Sequence, residues 1–359
     1  MKNLLLITGA GASRGVVDPG KAKVNMAFYP PLARDLFNPK YVIGLESFIQ
    51  VCLNGHPLAA QIGYRFQLMP RDEQELGMEK YLAELKNNRL LMKRNQYWAT
   101  LLFLKQLFEG ISSNYISSGL PSNYKELIDG IAESQYDQIL WLNLNYDLLA
   151  DSAIKVSAHS ELHSLEDYTN LQTPDGLKII YTKPHGSVDW YRQISDPTLK
   201  LEKIKRGELP KNFEMELLTK TVFTEREAVF KRREEHVGNA HYFVQFPEGW
   251  FPALTAPIGK YDYIIENHIE IIKKELKTTT DLLSIGFNAL DNDILDLIRD
   301  HAPEIKKMLL VNGNRNSNIS VCERITEHCK NVRVEKNEAV FDGDFTYFIM
   351  NGMKSWLSK

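Results

Sequence analysis

The sequence predicts an α/β protein, a Rossmann-like doubly wound parallel sheet with a helical insertion. Two observations predict it. Short apolar runs without period-two alternation recur along the chain and end in small or polar residues, as strands buried on both faces do. Stretches of helical periodicity lie between them, and strands alternating with helices imply a sheet covered on both sides. The 359 residues, 43% hydrophobic and 25% charged, allow one large domain with insertions or two domains, and either can bury a full core.

The first run is LLLIT (4–8), followed by the turn GAGAS (9–13) and then a loop, RGVVDPGKAKVNMAFYPP. Residues 45–114 read as helical, with apolar residues at i, i+3 and i+4 through QELGMEKYLAELKNNRLLMKRNQYWATLLFLKQLF. A helix over about 122–134 precedes the second run, ILWLNLN (139–145), and LLADSAIKV reads as the next helix. The third run is KIIYTK (178–183). Residues 197–249 are charge-rich, with one helix predicted over about 224–235. A helix over 261–276 leads to LLSIG (282–286). DNDILDLIRDHA (291–302) puts Ile294, Leu297 and Ile298 on one helical face, and MLLVN (308–312) and NVRVE (331–335) follow as strands. FTYFIMNGMKSWL reads as a closing amphipathic helix. The expected organisation is one domain with a core of 1–44, 115–196 and 250–359, interrupted by a helical insertion (45–114) and a charged, partly helical one (197–249).

Composition excludes several classes. With 43 basic and 46 acidic residues the net charge is −3, which predicts neither direct nucleic-acid binding nor attraction to anionic membranes. The basic clusters at 203–206 and 231–233 lie among acids and read as solvated helix faces. Three cysteines, Cys52, Cys322 and Cys329, form no CxxC pair, so neither a disulfide framework nor a zinc ribbon is indicated. No apolar run reaches the roughly 18 residues of a membrane span. The apolar core Leu4–Ile7 is shorter than the roughly 7–15 residues of a signal peptide. A cytoplasmic protein is expected.

Ligands of doubly wound sheets bind where strands end, so the polar residues there are the candidates. At the first end, Gly9 and Gly11 let backbone approach a phosphate or simply make a tight turn. A dinucleotide fingerprint would need a third Gly or Ala at GxGxxG spacing and an acid about 20 residues on that closes a second strand; both signals are missing, which weakens the dehydrogenase reading. At the second end, Asn145 and Asp147 point to one side of an extended segment or cap the following helix. At the third, His185 sits between Pro184 and Gly186, where an imidazole transfers protons or only packs. The fourth end, Ile285-Gly286-Phe287-Asn288, precedes Asp291 and Asp293, acids that also suit a helix first turn. The fifth, Val311-Asn312-Gly313-Asn314, reads equally as an ordinary turn.

The order GAGAS…NYD…HGS…GFN…VN resembles the sirtuin superfamily, over about 200 residues of α/β core. Lacking a four-cysteine ribbon between the His and the later Gly turn, and with NYD as its Asn-x-Asp, it looks more like the sirtuin-related NAD hydrolases of bacterial anti-phage defence. The resemblance implies NAD+ as substrate and no metal. It assigns Gly9, Ala10, Gly11 and Ser13 to the pyrophosphate, and Asp18 to the acidic position after the Gly-rich turn, although the aromatic-Arg pair that normally follows is missing. Asn145 and Asp147 match the Asn-x-Asp, and His185 the catalytic histidine. Gly286, Asn288 and Asn312 match positions around the phosphates and adenosine ribose, with Asn288 in place of the usual Ser.

The implied reaction is hydrolysis of the nicotinamide–ribose bond to nicotinamide and ADP-ribose, as an NAD-depleting defence effector. Regulation would then come through a homo-oligomer, or a partner such as an ATPase, helicase or Argonaute-type sensor. The alternatives are a protein deacylase or ADP-ribosyltransferase using the same site, or a non-enzymatic NAD or ADP-ribose sensor.

Overall fold

The computed structural model describes residues 2–16, 30–32, 35–37, 46–70, 81–82, 84–86, 88–120, 122–160, 162, 166–193, 230–232, 250–254 and 266–358. Asp18, residues 261–265 of the sequence-predicted helix and most of 197–249 lie outside them. The chain divides into two compact units, one of residues 1–25, 115–185 and 263–359, the other of 26–114 and 186–262. The boundaries read from sequence were 44, 114, 196 and 249; both stretches read there as insertions fall largely in the second unit.

The chain opens with strand β1 (Asn3–Thr8) and a one-turn helix α1 (Ala10–Arg14), followed by α2 (Glu46–Gly55), α3 (Pro57–Gln67) and the long α4 (Leu91–Ser118). Next come α5 (Asn123–Ala132), β2 (Gln138–Asn143), α6 (Leu149–Ser157), β3 (Leu171–Gln172), β4 (Lys178–Thr182) and β5 (Gly186–Gln193). Strands β6 (Phe230–Arg232) and β7 (Trp250–Leu254) lead to α7 (Glu266–Leu276), β8 (Thr279–Ile285), α8 (Asn292–His301) and β9 (Lys307–Val311). The chain closes with α9 (Arg315–His328), α10 (Phe345–Asn351) and α11 (Met353–Leu357).

The first unit is the expected α/β fold. Its six-stranded sheet has the order β3-β4-β2-β1-β8-β9, parallel except for the β3–β4 pair. Leu4, Leu5, Leu6 and Ile7 of β1 have no exposed surface, because β1 is central and covered on both faces; each such side chain contributes about 1.5–3 kcal/mol. Helices show the matching one-sided burial. In α5, Tyr124, Leu127, Ile128 and Ile131 are buried, and in α8, Ile294, Leu295, Leu297 and Ile298.

Register fixes what matters for function. Thr8 lies opposite Asn143 and Ile285, Leu142 opposite Thr182, and Ile285 opposite Val311. Five parallel strands therefore end flush along one edge of the sheet. The order turns about β1, with β2 on one side and β8 on the other, so the topological switch point lies where β1 and β8 end.

The second unit holds α2, α3, α4 up to residue 114, and a three-stranded antiparallel sheet of order β6-β5-β7. Pro252 is tolerated because β7 is an edge strand. The buried Lys105 of α4 donates to Glu109 at 2.9 Å and to the carbonyl of Val188 in β5 at 2.7 Å.

Four expectations are corrected. The helix predicted over 224–235 contains the strand β6, paired Arg192 to Phe230 and Trp190 to Arg232. Its Glu, Arg and Lys residues suit helices in isolation, but ladder pairing overrides that preference. GAGAS is not only a turn, since Ala10–Arg14 makes a turn of helix; residues 17–29 of the loop predicted after it lie outside the described residues. NVRVE forms only a single bridge, Val332 to Ile305; Leu310 of β9 bridges instead to Val340. The closing helix breaks at Gly352, where a Cβ would lie 2.5 Å from the Phe341 ring.

Candidate functional site

The five strand ends carry the residues singled out by sequence, and they fall into three connected groups, all in the first unit. The first group surrounds Asn145, just beyond β2. Its Nδ2 donates to the Gly9 carbonyl at 2.9 Å and to Ser13 Oγ at 2.9 Å, with Tyr124 Oη at 3.4 Å. Ser13 Oγ and Tyr124 Oη are 3.0 Å apart. Among the described residues, no donor engages the Oδ1 of Asn145. The amide group thus anchors the side chain and leaves its oxygen as an acceptor at the strand end.

Asp147 is 1% exposed. Burial pushes its carboxyl up from the usual 3.8, and Lys183, Ser13 and the Leu149 N–H only partly oppose the rise. Its Oδ1 accepts from Leu149 N at 3.1 Å, so the helix-capping role open from sequence is real as well. A raised native value means that the folded state holds the proton after the unfolded chain has lost it, and stability falls as pH climbs from about 4 through that interval. Asp147→Asn is therefore expected to match the wild-type melting temperature near pH 4 and to exceed it at neutral pH. Parallel melting curves that do not diverge would refute this.

Beneath this group lies a buried network. Lys183 Nζ donates to the Asp147 carbonyl at 2.6 Å and to Asp151 Oδ2 at 3.0 Å. Asp151 also accepts from the Tyr168 and Tyr181 hydroxyls at 3.0 and 2.9 Å. Tyr181 accepts from Asn143 Nδ2 at 2.6 Å, and Asn143 Oδ1 accepts from Thr8 Oγ1 and Asn145 N. Burial first, and then the Asp151 charge, pushes the Tyr181 phenol well above its ordinary value. It is a neutral donor. The segment from Asn143 to Asp147 is thereby pinned at both ends.

The second group is His185 and Asp291. His185 is 7% exposed, and its Nε2 lies 2.9 Å from Asp291 Oδ2. Asp291 Oδ1 caps α8, accepting from Asp293 N at 3.1 Å and Ile294 N at 3.3 Å. Burial alone would raise its carboxyl, but the His185 contact and the two amide bonds outweigh that and hold it below the ordinary carboxylate range. The sequence leaves Asp291 open between a strand-end acid and a helix first-turn residue, and the structure makes it the N-cap of α8.

The third group joins the Gly-rich turn to the end of β8. Gly9 N donates to Ile285 O at 3.0 Å and Gly11 N to Gly286 O at 3.2 Å. Gly286 has φ +66°, and a Cβ there would lie 2.0 Å from Ala12 N. Close backbone packing between the two turns thus accounts for these glycines. Asn312 Nδ2 donates to Phe287 O at 3.0 Å, and Asn288 Oδ1 accepts from Leu290 N at 3.1 Å. Asp18 lies outside the described residues.

Tyr124, Asp151 and Tyr181 escaped sequence reasoning, because they meet the motif residues only in three dimensions. Among the described residues no cluster of three or more His, Cys, Asp or Glu could hold a metal ion, the three cysteines are buried and free, and no helix is long and apolar enough to cross a membrane. No protein-family model matches the chain, and no curated protein matches it in sequence.

Proposed function

We propose that the protein is an NAD+ glycohydrolase, cleaving the nicotinamide–ribose bond to release nicotinamide and ADP-ribose. One observation carries the reading: β1, β2, β4, β8 and β9 end flush, so GAGAS, NYD, HGS, GFN and the later Asn share one edge of the sheet in the order that resembles the sirtuin-like hydrolases. Nicotinamide leaves as a neutral group while the ribose carbon takes on oxocarbenium character, as in glycoside hydrolysis. The protein's work is then to position water and to exclude competing nucleophiles.

In this scheme Asn145, anchored through its amide, presents Oδ1 to the ribose or the attacking water. His185, beside the Asp291 carboxylate, takes a proton from that water or from a ribose hydroxyl. Asp147, with burial favouring its neutral form, hydrogen-bonds a ribose hydroxyl. The turns at Gly9–Ser13 and Gly286–Asn288, with Asn312, face the diphosphate and adenosine ribose. The reaction requires no metal. An intact enzyme of this kind needs restraint in the cell, and a homo-oligomer or a sensor partner, such as an ATPase or Argonaute-type protein, would supply it.

The test is nicotinamide and ADP-ribose formation followed by mass spectrometry, with the protein alone and with its genomic neighbours. His185→Ala and Asn145→Ala are each expected to lower release by about 10²-fold or more while the far-ultraviolet circular dichroism stays native. Full hydrolysis by both variants would exclude the assignment. Cyclised ADP-ribose would make the protein a cyclase, and release that depends on an acyl-peptide would make it a deacylase.

A further inference from the structure

The Gly-rich turn does not offer its glycine amides to a ligand. Gly9 N and Gly11 N donate into the turn after β8, and Ala12 N returns to Gly9 O at 2.9 Å. A phosphate at this edge therefore needs its positive partner from a side chain. Lys183 is already paired with Asp151. Arg14 offers one: its Nη1 is sealed from solvent and meets no hydrogen-bond partner among the described residues. A buried donor without an acceptor is destabilising, more so when charged, so such an atom marks a place that something else completes.

The position of Arg14 says what. It ends α1, and at 3.6 residues per turn its side chain emerges about 60° around the helix from Gly11 and about 40° from Ala10, between the two. Gly11 is the residue whose Cβ would lie 2.8 Å from Gly286 Cα, so this side of α1 is the one turned toward the end of β8. Ala12 and Ser13, on the opposite side, are buried. Helical Cα–Cβ bonds lean toward the helix N-terminus, so the Arg14 side chain sets out in the direction of the Gly9–Gly11 turn.

We infer that Arg14 is the anion-binding residue of this site and pairs with a phosphate of the pyrophosphate through a charge-assisted, fork-shaped contact. The identity of the anion rests on the NAD+ reading; the chemistry of Arg14 asks only for a phosphate ester. Neutral nucleosides would gain nothing from it.

The experiment measures binding, not turnover. Wild type, Arg14→Met and Arg14→Lys are titrated calorimetrically with ADP-ribose, inorganic phosphate and adenosine, and the ligand-free proteins are melted. Arg14→Met is expected to weaken ADP-ribose binding about tenfold to hundredfold, Arg14→Lys less, and adenosine binding not at all. Without ligand, Arg14→Met should melt at or above the wild-type temperature, because it removes an unpaired buried donor. Arg14 with a merely structural role would lower it. Unchanged ADP-ribose affinity in Arg14→Met, wild-type protein that binds no phosphate compound, or a lower melting temperature with parallel loss of adenosine binding would each overturn the inference. Inorganic phosphate binding as tightly as ADP-ribose would overturn the pyrophosphate assignment. Arg14-dependent binding without nicotinamide release under any condition leaves the inference standing and removes the hydrolase reading; release with Arg14-independent binding does the reverse.

Discussion

Lys183→Met is expected to destabilise the protein by about 3–5 kcal/mol, the usual cost of breaking a buried ion pair from one side. The side chains of Lys183 and Asp151 are 0% and 2% exposed, so the carboxylate left behind has no water to turn to. The Tyr168 and Tyr181 hydroxyls still donate to it, but neither carries a charge. The double variant Lys183→Met/Asp151→Leu should recover much of the loss, because a buried pair replaced by apolar residues of similar volume is often near neutral. Urea denaturation of the three proteins decides the matter, and a single-variant loss under about 1 kcal/mol would show that the pair is not the keystone of this network. A second consequence separates position from stability. Lys183 also holds the Asp147 carbonyl, so even the restabilised double variant should release nicotinamide more slowly.

Gly286→Ala is the other large effect, at about 4 kcal/mol. Left-handed backbone contributes about 1–3 of that for a residue with a Cβ, and overlap contributes about 1–3 more. The overlap cannot relax by a rotamer change, since the atoms 2.0 and 2.5 Å away are Ala12 N and Gly11 C, backbone of the opposing turn. Gly313 provides the control. It has φ +85° but nothing within 4 Å of its would-be Cβ, so Gly313→Ala should show the backbone contribution alone. Equal melting temperatures for the two variants would mean that the Gly286 contact is slack.

These two sites show where sequence carried the argument and where it stopped. The central strands were legible because burial on both faces leaves a run such as LLLIT without polar residues. The three-stranded sheet was not: β5 buries Ser187 and Asp189 along with Val188 and Trp190, so neither period nor composition marks it. Asn145, Asp147 and His185 were legible as polar residues at strand ends. Lys183 stood in plain view two residues before His185, yet its role depends on Asp151, 32 positions away. Tyr124 reaches Ser13 across 111 positions. Arg14 is adjacent to the motif, but what marks it is a missing partner, and a missing partner leaves no trace in a linear string.

The Asp291 carboxylate divides its two oxygens between two tasks. Oδ1 receives the amides at the start of α8, which turns Oδ2 toward His185 Nε2. Oδ2 meets no hydrogen-bond partner among the described residues, so at 2.9 Å it acts on the ring as a charge rather than as an aligned acceptor. A single carboxylate thus starts a helix and sets the field at the imidazole.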